Sequence, residues 1–288
     1  MPEKPAAPPP TAAVNKLLTH SLVDGPGNRA VVFLQGCNLH CQFCHNPQTI
    51  NVCTHCSACV PLCPAGALVL RDGRVIWDPQ ACQECDNCTR TCPHFSTPRV
   101  HHYTPVALWE AIAPFAPFLA GVTVSGGEPL LQVDFLLHFF AVVKTHSRLT
   151  TFIETNGAFP VDMLEPLLPL LDGALVDFKV YDPAAHLDLT GADNIAVRDT
   201  IRFLSDHGRL NAVRQTVIPG INADVENAAN TARFLAEIDP AIRLRFLRFR
   251  PHGTRGEAQH WSSPDDETLE KLADIARAQG LVDVAYSL

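Results

Sequence analysis

The chain has 288 residues, a net charge of −8, 47% apolar residues and eleven cysteines. That length suits one large domain or a domain with a smaller insert, and the apolar share can build a substantial core. Acids and bases are interspersed without a polybasic block, which argues against a nucleic-acid or anionic-membrane partner. Residues 1–14, MPEKPAAPPPTAAV, have neither the basic nor the apolar region of a signal peptide and are expected to form a disordered tail. With nothing directing export, the cysteines are expected reduced and the protein cytoplasmic. An odd cysteine count in CxxC-type clusters weighs against disulfides.

AVVFLQ (30–35) reads as the first strand and runs straight into a cysteine cluster. Residues 51–98 then hold eight cysteines and little helical periodicity, so they are set apart as an insert between 15–50 and 99–288. From Thr104 the chain alternates. A helix near 104–118 precedes the strand 121–125, a helix over 132–146 precedes 150–155, and a helix near 161–171 precedes 173–178. Helices near 195–207, 223–237 and 265–279 separate the strands 211–217 and 242–249 and a last short strand, LVDVAYS. The apolar run Ala107–Val124 contains Glu110, Pro114 and Pro117, so it reads as buried helix and strand and not as a membrane span. Alternation implies right-handed crossovers and a parallel sheet. Six βα units fall short of a closed eight-unit barrel.

Ligands collect at the C-terminal ends of such strands. There stand Cys37, Gly126-Gly127-Glu128, Glu154 to Gly157, Asp177 with Lys179, and His252. The loop GCNLHCQFCHNP (36–47) supplies only three thiols, at CxxxCxxC spacing. Three thiolates can hold three irons of a [4Fe–4S] cubane and leave the fourth open for chemistry, as catalytic metal sites require. The alternative is structural zinc with His40 or His45 as fourth ligand.

CxxxCxΦC, with Phe43 as the aromatic, resembles the signature of radical S-adenosylmethionine (SAM) enzymes. Asp24-Gly25-Pro26-Gly27-Asn28-Arg29 before it and His45-Asn46-Pro47 after it narrow the resemblance to the glycyl-radical enzyme activating enzymes. The insert and the segment RFRPHGTRGEAQHW look most like the YjjW-type activases. This resemblance implies a partial (β/α)6 TIM-like barrel and a cluster on Cys37, Cys41 and Cys44, whose open iron is chelated by SAM. It implies further that Phe43 contacts adenine and that the Ser125-Gly126-Gly127-Glu128-Pro129 turn meets the SAM amino group. Glu154, Thr155 and Asn156 match a segment that binds that amino group and, in some members, a monovalent cation. Asp177 and Lys179 match a pair near the ribose and carboxylate, while Arg214 and His252 match two further pocket positions. The four arginines 243, 245, 248 and 250 are expected at the rim or facing outward.

CTHCSACVPLCP and CQECDNCTRTCP each read C-x2-C-x2-C-x3-C-P, the two-cluster ferredoxin spacing in which the fourth cysteine serves the other cluster. One cluster is therefore assigned to Cys53, Cys56, Cys59 and Cys92, and the second to Cys82, Cys85, Cys88 and Cys63. They are expected either to relay electrons or to brace a segment too small for a core of its own. Zinc is again the alternative.

The expected function is an oxidoreductase that cleaves SAM reductively to a 5′-deoxyadenosyl radical. That radical then takes hydrogen from a glycine of a partner enzyme, expected to be YjjI-type, with a flavodoxin or ferredoxin-type protein as electron donor. A radical SAM enzyme acting on a small molecule and a ferredoxin-like electron carrier are the competing readings.

Overall fold

The structure, a computed structural model, describes residues 9–287. Its centre is β2 (Arg29–Leu34), whose RAVVFL run is buried at five of six positions, the mark of a strand covered on both faces. Antiparallel to it lies β1 (Ala12–Leu18), with Ala12 and Val14 in the core. The expected tail over 1–14 is thus too long, because a strand begins at Ala12; residues 1–8 lie outside the described ones.

Beyond β2 the chain enters residues 51–98. Here β3 (Leu68–Arg71) and β4 (Arg74–Trp77) form a separate hairpin, followed by the single-turn helix α1 (Asn87–Arg90). Asp72 and Gly73 both have positive φ, 50° and 72°, as a type I′ hairpin turn requires. Cys59, Leu68, Val75 and Cys88 make a small core of their own. The segment enters and leaves beside itself: Asn51 N–H donates to the Phe95 carbonyl at 3.1 Å and its side chain to His94 at 3.0 Å.

β5 (His101–Tyr103) pairs with β1 and α2 (Pro105–Ile112) leads into β6 (Gly121–Gly126). Then come α3 (Val133–His146), β7 (Thr150–Thr155), β8 (Gly173–Asp177), α4 (Pro183–Thr190) and α5 (Ile195–Asp206). β9 (Leu210–Val217), α6 (Val225–Ile238), β10 (Leu244–Arg248), α7 (Asp266–Ala278) and β11 (Val284–Tyr286) complete the chain. The large sheet has nine strands in the order β11-β10-β9-β8-β7-β6-β2-β1-β5. Every pair from β2 to β11 is parallel. Its edges, β11 and β5, do not pair, so the sheet stays open. The main core fills the space between its outer face and the helices, with Phe135, Phe139 and Phe140 of α3 among the largest members. No described helix is long and apolar enough to cross a membrane.

Two helix expectations change. Residues 161–171 form only two 3-10 turns, Val161–Met163 and Glu165–Leu167, since Pro166 and Pro169 remove donors an α-helix would need. The missed α4 carries ordinary boundary signals. Asp182 caps it, Pro183 opens it and Gly191 closes it at φ 87°.

Arg29 is 0% exposed and clamps the N-terminal ends of three strands. Its guanidinium donates to Thr123 Oγ1 at 2.6 Å, the Val122 carbonyl at 2.9 Å, Thr150 Oγ1 at 2.9 Å, the Thr150 carbonyl at 3.1 Å and the Pro26 carbonyl at 3.2 Å. The charge also lies 4.2 Å over the Phe152 ring. Burial pulls its pKa down to about 10. Arg29→Met should therefore cost ~3 kcal/mol or more, because it strands several buried acceptors at once; the shift in denaturant midpoint measures it.

Candidate active site

A cavity of about 620 Å³ opens inside the curve of the sheet at the C-terminal strand ends. Cys37, Cys41 and Cys44 line one wall; Ser125, Glu154, Asp177, Lys179 and Arg214 line another. The cluster loop is held from three sides. Gly36 N–H donates to the Thr49 carbonyl at 2.7 Å, Glu128 N–H to the Gly36 carbonyl at 2.7 Å, and His40 N–H to the Thr190 carbonyl at 2.9 Å. Phe43 anchors it in a small apolar cluster with Val180, Leu189, Ile218, Phe249 and Ala258. Lys179 Nζ stands 5.6 Å from the Phe43 ring centre.

The two glycines of the β6 turn are needed for close approach. A Cβ on Gly127 would sit 1.9 Å from the Gly36 carbonyl oxygen, and one on Gly126 would sit 2.2 Å from Leu34 N. Both obstacles are backbone, so neither side chain nor rotamer can yield. Gly127→Ala should then displace the cluster loop, and limited proteolysis within residues 37–50 should quicken at least tenfold.

A continuous line of polar groups crosses four strand ends. Ser125 Oγ donates to Glu154 Oε2 at 2.7 Å, Arg214 Nη1 donates to Glu154 Oε1 at 2.6 Å, Arg214 Nε to Asp177 Oδ1 at 2.8 Å, and Lys179 Nζ to Asp177 Oδ2 at 2.8 Å. Burial pushes Asp177 up, but Arg214 and Lys179 outweigh it and hold the carboxyl well below its usual range. Burial likewise pulls Lys179 down, and Asp177 with Cys41 reverses this and raises it. Asp177, Lys179 and Arg214 thus stay charged beside the cavity, while burial raises Glu154 against the pull of Arg214; together the four can meet a ligand carrying both an amine and a carboxylate. The three thiols are pushed up to about 11 by burial, so binding a metal there releases protons.

Glu128 and His252 lie elsewhere than the sequence implied. Glu128 is fully buried behind the wall, where its carboxylate accepts from Thr155 Oγ1 at 2.8 Å, Asn156 N at 2.8 Å and Leu130 N at 3.1 Å. It positions the Thr155-Asn156 segment and does not line the cavity. His252 is exposed and lines a second cleft, between the insert and the loop after β10. The chain turns at Gly253, packed close to the His45 carbonyl, and carries His252 outward. Asn38 is a residue that sequence reasoning missed. Asn156 Nδ2 donates to its Oδ1 at 2.8 Å and approaches Cys37 Sγ at 3.7 Å. Arg243 and Arg245 pair with Asp283, and Arg248 with Asp266.

For the zinc alternative, His45 Nε2 is taken by the Arg250 carbonyl at 2.7 Å, and His40 faces solvent. Among the described residues no three His, Cys, Asp or Glu side chains converge on one metal ion. A four-iron cluster is larger than one ion and spreads its ligands wider. In the insert, Cys63, Cys82, Cys85 and Cys88 ring one small cavity with Trp77 and Arg99. Trp77 Nε1 and Arg99 Nε are buried there without a hydrogen-bond partner. An occupant rich in acceptors, such as the sulfurs of an iron–sulfur cluster, fits both orphaned donors.

The Radical SAM superfamily model matches residues 31–232. The chain belongs to the radical SAM superfamily. Within it, the relatives are activating enzymes by name. The 4-hydroxyphenylacetate decarboxylase activating enzyme of Clostridioides difficile is 31% identical over 293 residues, 91% of this chain and 92% of that one. The isethionate sulfite-lyase activating enzyme of Nitratidesulfovibrio vulgaris is 32% identical over 78% of this chain and 80% of its own. A pyruvate formate-lyase-activating enzyme of Listeria monocytogenes is 28% identical over 89% and 92%. Among solved structures, QueE from Escherichia coli superposes with a TM-score of 0.55 over 96% of this chain and 94% of its own, at 12% identity. That likeness shows the radical SAM fold alone.

Proposed function

We propose that this radical SAM protein is a glycyl-radical enzyme activating enzyme, an open (β/α)6 barrel carrying a two-cluster insert over residues 51–98. The observation that supports it is the pairing, across one cavity, of three thiols on a loop with four alternating acidic and basic side chains on the strand ends. Cys37, Cys41 and Cys44 would hold the catalytic cluster, and Cys53, Cys56, Cys59 and Cys92 with Cys63, Cys82, Cys85 and Cys88 would hold two more. When bound, a [4Fe–4S] cluster with an open iron supplies the electron that splits SAM into methionine and a 5′-deoxyadenosyl radical, which takes an α-hydrogen from a partner's glycine.

The chain's own residues supply binding and orientation. Lys179 and Arg214 offer positive charge to the SAM carboxylate, and Glu154 with Asn156 offers acceptors to its amine. Gly126 and Gly127 line the cavity and pack against the backbone of Leu34 and Gly36, which a Cβ would strike. Leu39, Phe33 and Leu247 keep its inner face apolar. Val23, 81% exposed on the rim, and its neighbour Leu22, at 77%, offer apolar surface to an entering partner loop. The partner is proposed to be a YjjI-type glycyl-radical enzyme, and the donor a flavodoxin or ferredoxin-type protein.

A partner carrying α-deuterated glycine tests this reading. Deuterium should appear in the 5′-deoxyadenosine formed, about one transfer per partner site. Label-free 5′-deoxyadenosine together with many turnovers of a small molecule would favour the small-molecule reading.

A further inference from the structure

The two cysteine runs of the insert repeat the same spacing, but their surroundings are not alike. The site formed by Cys63, Cys82, Cys85 and Cys88 is closed on one side by Trp77 and Arg99. Both present an N–H that is buried and unpartnered, Nε1 of the indole and Nε of the guanidinium. Their other contacts fix them in place. The Trp77 ring meets His101 edge-on at 4.8 Å, and Arg99 pairs through its outer nitrogen with Asp86 at the start of α1. Asp86 is half-exposed, with 53% of its side chain open to water, so solvent screens its charge while Arg99 Nε remains inside.

The other run has no such pair. The sulfur of Cys53 is approached by a backbone donor, His55 N–H at 3.4 Å. Arg255 there gives Nη1 to the Cys92 carbonyl at 3.0 Å and leaves Nη2 buried without a partner, a single orphaned donor against two. At the catalytic site one cation, Lys179, faces the thiols together with the acids Asp177 and Glu128, and it is itself paired with Asp177 at 2.8 Å.

Reduction by one electron makes a cluster one unit more negative. Hydrogen bonds to its sulfurs and a neighbouring cation stabilise that state. We infer that Trp77 and Arg99 make the Cys63/Cys82/Cys85/Cys88 site the most easily reduced of the three, the place where an electron from a low-potential one-electron donor first settles. Trp77 and Arg99 are positioning residues, acting through the cluster and not on SAM. The inference rests on the cluster assignment proposed above.

Potentiometric titration of the anaerobic holoenzyme, followed by low-temperature electron paramagnetic resonance with dithionite as reductant, tests it. Trp77→Phe keeps the ring on His101 and removes one donor; Arg99→Met removes the second donor and the charge. In Arg99→Met the reduced-to-oxidised ratio of the first cluster to reduce should fall about tenfold at a fixed potential, a shift of about 59 mV to lower potential. Trp77→Phe should shift the same wave in the same direction by less, and the SAM-sensitive signal should not move in either variant. Titrations superimposing on wild type, with about twelve irons retained, overturn the inference while leaving the clusters intact. A wild-type chain holding only about four irons overturns the cluster assignment beneath it. Should Arg99→Met lose iron, Trp77→Phe decides.

Discussion

A Cys41→Ala chain prepared without oxygen is expected to keep about eight of about twelve irons and to lose reductive SAM cleavage entirely. The loss is complete because two thiolates cannot hold three irons of a cubane while leaving one open. Retention in the insert follows from its separate construction. Its hairpin β3–β4 and its small core of Cys59, Leu68, Val75 and Cys88 share no residue with the cluster loop. The barrel itself should persist, because Phe43 and the backbone bonds from Gly36 and Gln42 still fasten the loop. One zinc atom per four-cysteine run, in place of iron, would refute the reading of the insert.

Arg214→Met should be the most damaging change among the charged residues. Among the described residues Arg214 is the only cation in contact with both Glu154, at 2.6 Å, and Asp177, at 2.8 Å, and its side chain is 14% exposed. Removing it leaves two carboxylates buried with Lys179 alone, a situation that costs ~3–5 kcal/mol. SAM affinity should fall as well, since the charge facing its carboxylate is halved. The pH response carries a definite sign. In the wild type, Asp177 is held below its ordinary 3.8, so its contribution is full above about pH 4 and is lost only as pH falls through the depressed value. In Arg214→Met that acid-range support weakens. Unfolding at low pH should therefore begin at a higher pH than in the wild type, as read by circular dichroism across an acid titration.

The parallel series from β2 to β11 was legible because each strand is a short apolar run between amphipathic helices, and the chemistry-bearing residues fall at strand ends. The antiparallel pair β1 and β5 was not. AAVNKLL adjoins a Pro/Ala-rich stretch, HHY is three residues long, and neither belongs to a βα unit. The hairpin β3–β4 did carry a signal, Asp72-Gly73 between alternating apolar residues, masked by the surrounding cysteine spacing. Helix α4 was equally readable from Asp182, Pro183 and Gly191. Within the site, the cysteines and the Glu154–Arg214–Asp177–Lys179 line could be anticipated residue by residue. The rear position of Glu128 and the outward turn of His252 depend on loop trajectories that no local pattern encodes.

The radical this chain generates is expected to end on another protein. The chain is mixed anaerobically with SAM, a reductant and a candidate glycyl-radical partner, and the electron paramagnetic resonance spectrum is recorded. A doublet carried by the partner is expected, absent when the partner's glycine is replaced by alanine and absent with Cys41→Ala. SAM consumption with a modified small molecule and no protein radical on any such partner would contradict it.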